Sequence, residues 1–145
     1  MDPRTAYRET AVQGASPLRL VVLLYEQAIQ DLQRAMAAMA EGSVERRTQE
    51  INHALAVVGQ LQGSLNMERG GEVARNLDRF YSVLRASLQE AQARVSPEIL
   101  RKQVANLLTL RETWTEVERA IAAPALRPQE QPGQETARQP QDWTG

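Results

Sequence analysis

The one histidine of the chain sits in Glu50-Ile51-Asn52-His53, and a glutamate three residues before a histidine is the half-site from which carboxylate-bridged di-iron bundles are built. Such a centre takes that element from two helices and a carboxylate from each of two others, because a hard metal pair needs ligands from four directions. With a single histidine the second half cannot exist, so His53 reads as a helix-surface or bundle-edge residue. No hydroxyl nucleophile can find a second imidazole, and Asp and Glu fall mainly on polar faces. The chain has no cysteine, which removes disulfides, thiolate zinc sites and thiol nucleophiles together. This inventory predicts no enzyme, no cofactor and no metal.

What polar chemistry remains is that of recognition. Tyr7, Tyr25 and Tyr81 pair an aromatic body with a hydroxyl, and Asn52 and Asn76 read as amides within apolar faces, where each needs partners for its donors and acceptors. Two readings of the amides stay open: they bridge helices inside a bundle, or they bind the backbone of an incoming peptide. Gly59 and Gly63 stand four apart, each costing about 1 kcal/mol of helix propensity. They allow close packing against a neighbouring helix or a groove left for a partner. Gly70-Gly71 has the look of an anion-binding loop ahead of a helix, but no Lys-Ser/Thr follows and no strand precedes it, so a turn is expected.

Helices must position these residues. Ser16-Pro17 writes a start, with a side-chain cap and a ring-locked φ where no donor is needed. From there Leu18, Val21, Val22, Tyr25, Ala28, Ile29, Leu32, Ala35, Met36 and Met39 recur at three- and four-residue steps, opposite Arg19, Gln30, Gln33 and Arg34. The spacing predicts a helix from about Pro17 to Ala40, ended by Gly42. Ser43 caps a second helix with Ile51, Ala54, Leu55, Val58, Leu61, Gln62 and Leu65 on its stripe. A turn over 66–72 leads to a third, carrying Val73, Leu77, Phe80, Tyr81, Leu84, Leu88 and Ala91 and ending near Val95. Ser96-Pro97 repeats the opening grammar for a fourth, with Leu100, Val104, Leu107, Trp114, Val117 and Ile121 near heptad spacing and Leu108 and Leu110 widening the stripe. Ala122-Ala123-Pro124 is expected to stop it.

Four helices with short turns and no alternating Val/Ile/Thr run predict an all-α fold, an antiparallel up-down four-helix bundle with a short N-terminal arm or helical turn. The expected divisions are an arm over 1–15, the bundle over 16–123 and a Pro/Gln-rich tail over 124–145. That tail is too poor in large aliphatics to offset its ordering entropy, with Trp143 as its one potential anchor. The 17 basic and 18 acidic residues are interspersed and leave a formal charge of −1, which argues against nucleic acid as a partner. No apolar run approaches the ~20 residues of a membrane span and no secretory leader is recognisable, so a cytoplasmic location without membrane insertion is expected.

Read in order, several short strings resemble one family. Ala15-Ser16-Pro17, Leu24-Tyr25-Glu26-Gln27-Ala28-Ile29, Ile51-Asn52-His53-Ala54, Ser64-Leu65-Asn66 and Gly70-Gly71-Glu72-Val73-Ala74-Arg75-Asn76-Leu77 with Phe80-Tyr81 are similar to the (T/A)SP, LY(D/E)GAI, INKA, SL(D/N) and GG(E/D)(I/L)AxNL-x-x-(L/F)Y strings of the FliS flagellar export chaperones. The similarity covers roughly Tyr7 to Ile121, with Gln27 where the pattern has Gly and His53 where it has Lys. The resemblance implies a cytosolic chaperone that binds the disordered C-terminal segment of flagellin, blocks premature assembly and keeps the subunit fit for type III export. In the family this segment wraps the bundle as helices and extended stretches, which is helix-in-groove recognition coupled to folding. Carried over by position, Tyr7, Tyr25, Ile51, Asn52, Leu55, Asn76 and Tyr81 are the implied client-binding residues. The family's arm can cover part of the groove, which would set Tyr7 in competition with client. Members also meet the export gate and, in some lineages, an anti-sigma factor. The competing reading is a self-associating helical scaffold with no disordered client, for which a homodimer is the form to expect.

Overall fold

The computed structural model describes residues 16–126, which form four α-helices and no strand. They are α1 (Pro17–Glu41), α2 (Val44–Gly63), α3 (Gly71–Arg94) and α4 (Pro97–Leu126). The arm, with Tyr7, and the tail from residue 127, with Trp143, lie outside the described residues.

The helix ends follow from local chemistry. Ser16 accepts a hydrogen bond from the Arg19 N–H at 3.1 Å with Pro17 behind it, and Ser43 and Ser96 do the same for the N–H groups of Arg46 and Ile99 at 3.2 Å. Each serine satisfies a donor that the first turn of a helix leaves free. Gly42 closes α1 in the left-handed region, φ 75°, its N–H returning to Ala38 and Met39 carbonyls while Ser43 N–H reaches Ala38 O at 2.9 Å. Two residues thus end one helix and begin the next. Val95 closes α3 with φ 50° and ψ 56°, a conformation that a β-branched residue adopts only under strain. At the far end α4 does not stop before Pro124 but runs to Leu126. Proline forfeits its own N–H bond yet has a φ that suits a helix, so the helix passes through it.

Two compact units share the chain, dividing inside α4 between Glu112 and Thr113. In the first, α2 runs antiparallel to α3: Arg47 meets Gln92, Leu55 meets Arg85 and Gln62 meets Asp78, so partners climb one helix as they descend the other. The tight turn and an Asp31–His53 contact set α1 against α2 in the same sense. Its core holds Tyr25, Ala28 and Leu32 of α1, Ile51, Val58 and Leu61 of α2, Tyr81, Leu84 and Leu88 of α3, and Leu100, Val104 and Leu107 of α4, all buried. An Arg111–Glu26 pair at 3.8 Å, about a third exposed on each side, ties α4 to α1 and contributes little. In this unit the α4 stripe buries Leu100, Val104 and Leu107, while Leu108, expected to widen it, is 38% exposed. Beyond Glu112, Val117 and Ile121 stand exposed, and the buried Trp114 indole N–H has no acceptor among the described residues.

Candidate interaction site

The expected residues separate by depth. Tyr25, Ile51 and Tyr81 are core residues, 0–1% exposed, because the i, i+3, i+4 stripes of α1, α2 and α3 carry them inward. Leu55 is half-buried, and Asn52 and Asn76 are exposed. This corrects the reading of both amides as residues of apolar faces that bridge helices. Asn52 follows Ile51 by 100° around the helix, which carries it off the stripe, and Asn76 accepts its hydrogen bond from Arg79 of its own helix. Val73 is corrected likewise: at 65% exposure it leaves the core position of the first α3 turn to Ala74.

Two polar centres lie inside the first unit. The Tyr25 and Tyr81 hydroxyl oxygens are 2.7 Å apart, with ring centroids 6.4 Å apart edge to face, and Phe80 stands edge-on to Tyr81 at 5.7 Å. Burial, with Tyr25 beside it, pushes the Tyr81 phenol well above its ordinary value of 10.0. At neutral pH it is a neutral hydrogen-bonding group. The second centre is Asp31, fully buried on α1. Its Oδ1 accepts from the Gln27 amide at 2.9 Å and its Oδ2 lies 2.5 Å from His53 Nδ1 on α2, the imidazole side chain being 21% exposed. His53 is therefore a bundle-edge residue tied to a buried carboxylate. Among the described residues no group of three His, Cys, Asp or Glu side chains could hold a metal.

Sequence reasoning missed Asp31, although the signal was present. Asp31 stands three residues after Ala28 and four before Ala35, on the apolar stripe itself. It also missed the polar seam between α2 and α3. Arg47 Nε donates to Gln92 Oε1 at 3.0 Å, Gln92 donates to Thr48 Oγ1 at 2.7 Å, and the Gln62 amide reaches Asp78 Oδ1 at 2.9 Å and Ser82 Oγ at 3.0 Å. Gly59 belongs to this seam: a Cβ there would stand 3.3 Å from the Arg85 guanidinium, which lies 3.5 Å from the Leu55 carbonyl oxygen. The space over Gly59 is thus taken by the end of the Arg85 side chain, whereas Gly63 faces nothing within 4 Å. The Gly70-Gly71 segment is a turn. Gly70 N–H donates to Asn66 O at 2.8 Å and Asn66 Oδ1 accepts from Arg69 N–H at 3.0 Å, so these donors already have partners.

Apolar side chains also remain outside the core. On α3, Val73 and Val83 are 65% and 62% exposed and Phe80 between them is half-buried. Steps of seven and three residues bring the three to one flank of the helix, with Asn76 among them. A flank of this kind suits an apolar segment of another chain.

The described helices bury Tyr25 and Tyr81 and leave an apolar flank on α3. The family model described as FliS, flagellar protein FliS, matches residues 1–121. The chain belongs to the FliS family, and is an export chaperone of that type rather than an enzyme. It is 35% identical over 106 residues to the flagellar secretion chaperone FliSB of Pseudomonas aeruginosa, covering 73% of this chain and 84% of that one. It is 28% identical over 116 residues to the flagellar secretion chaperone FliS of Vibrio cholerae, covering 77% and 85%, and 28% identical over 110 residues to that of Salmonella typhimurium, covering 75% and 82%. No helix among the described residues is long and apolar enough to cross a membrane.

Proposed function

We propose that this chain binds the C-terminal segment of flagellin in the cytosol, blocks its premature polymerisation and holds it ready for flagellar type III secretion. The observation that carries the reading is the α3 flank of Val73, Phe80 and Val83, apolar surface on a bundle whose core is closed without it. A disordered segment that folds on contact gains the burial it lacks alone by laying an apolar face on such a surface. Asn52, Leu55 and Asn76 are the surface-reaching residues that meet client in this reading, and Tyr7 of the arm competes with it. Tyr25, Ile51 and Tyr81 hold the floor beneath. The export gate and an anti-sigma factor are further partners of the same reading.

Gel filtration of the purified chain with a flagellin C-terminal segment from the same organism tests it. A one-to-one complex eluting ahead of either component is the expected result. Separate elution, with the chain associating with itself as concentration rises, would favour a client-free scaffold.

A further inference from the structure

The Asp31 cluster is a costly thing to build into a core. A carboxylate at zero exposure gives up its hydration, and it is tolerated where other groups hydrogen-bond it in place. Here each of its oxygens meets a different side chain: Gln27 one turn earlier on α1 takes Oδ1, and His53 of α2 takes Oδ2. The first contact aims the carboxylate and the second carries it to the next helix.

The apolar residues buried on the two helices are of mixed size. α1 buries Ala28, Ala35 and Ala38 beside Ile29 and Leu32, and α2 buries Ala54, Val57 and Val58 beside Ile51 and Leu61, so the small side chains let the helices approach closely and leave part of the choice of rotation to contacts other than apolar shape. The Gly42-Ser43 turn pins one end of the pair. Asp31 stands eleven residues before Gly42, or roughly 16 Å along the helix, where the turn no longer restrains rotation or splay. A buried carboxylate at such a place penalises every arrangement that takes its partners away, which is how one buried polar residue selects register in coiled coils.

We propose that Gln27, Asp31 and His53 form a clasp that locks α2 against α1 in one arrangement, and that the clasp supplies uniqueness of packing rather than net stability. The inference stands apart from the identity of the client.

The test is a triple variant, Gln27→Leu, Asp31→Leu and His53→Leu, followed by thermal unfolding and by residue-resolved amide exchange in the full chain. The expected result is an unfolding midpoint at or above that of the parent, together with doubled or broadened amide signals along α1 and α2. Exchange at Leu32 and Val57 should be about tenfold faster or more while α3 amides keep their protection. His53→Leu alone, which takes the imidazole from the buried carboxylate, should lower the midpoint and loosen the same two helices. A triple variant that fails to fold would show the clasp to be needed for stability itself and would overturn the proposal. So would one that keeps a single sharp set of signals with parental exchange.

Discussion

The hydroxyl oxygens of Tyr25 and Tyr81 lie 2.7 Å apart inside the core, joining α1 to α3 through a polar contact among buried side chains. Neither ring could be buried this deeply at so little cost without a polar partner for its hydroxyl. A double-mutant cycle should therefore show coupling. Tyr25→Phe and Tyr81→Phe each destabilise by about 1 kcal/mol, and the double variant costs less than the two together, because either single change already removes the contact they share. Urea unfolding of the four proteins measures this, and strict additivity would count against the contact.

Alkaline pH should weaken the fold through the same residue. The folded chain holds the Tyr81 proton well above the ordinary phenol value of 10.0, chiefly through burial, while the unfolded chain releases it near that value. Tyr81 thus contributes stability fully below about pH 10, and the contribution falls away as pH rises further. Thermal midpoints from pH 8 upward should drop more steeply for the parent than for Tyr81→Phe.

The glycines should answer substitution with opposite signs. A Cβ on Gly70 would stand 2.5 Å from Ala74 Cβ and 2.7 Å from the Asn66 carbonyl oxygen, so Gly70→Ala should cost about 1–3 kcal/mol as the turn shifts. Gly63 ends α2 with nothing within 4 Å, and Gly63→Ala should stabilise by roughly 0.5 kcal/mol. Chemical unfolding midpoints decide both.

Much of this architecture was legible because it is written locally. Ser16-Pro17, Ser43, Ser96-Pro97 and Gly42 announce helix ends with their own side chains or their lack of one, and the structure uses each as expected. The stripes of α1 and α3 likewise name Tyr25, Leu32, Tyr81 and Leu84 as core. What stayed hidden depends on partners. Asp31 stands on the α1 stripe yet carries the hydropathy of a surface residue, and the contacts to Gln27 and to His53 of another helix that accompany its burial are not written in that spacing. Val95 gives no hint of left-handed backbone, since β-branching argues against it. Val73 and Asn76 sit near the margins of the α3 stripe, where periodicity alone does not say how far the core extends. Surface residues such as Asn52 bear on function through what they meet, which spacing within one chain does not encode.

Removal of Met1 to Gly14 should tighten flagellin binding if Tyr7 and its neighbours compete with client for the bundle. Competition binding of the full and shortened chains to one labelled flagellin segment measures the difference. Equal or weaker binding by the shortened chain would count against competition by the arm.

The central claim is most directly tested by titration calorimetry of the full chain with the C-terminal segment of flagellin, run at several temperatures beside a Val73→Ser/Val83→Ser variant. Both valines are largely exposed, so the variant should keep its fold by circular dichroism. The account predicts saturable one-to-one binding with a negative heat-capacity change for the parent, and affinity reduced by about tenfold or more for the variant. No heat at any temperature and no complex would contradict the chaperone reading. Unchanged affinity in the variant would move the client off the α3 flank.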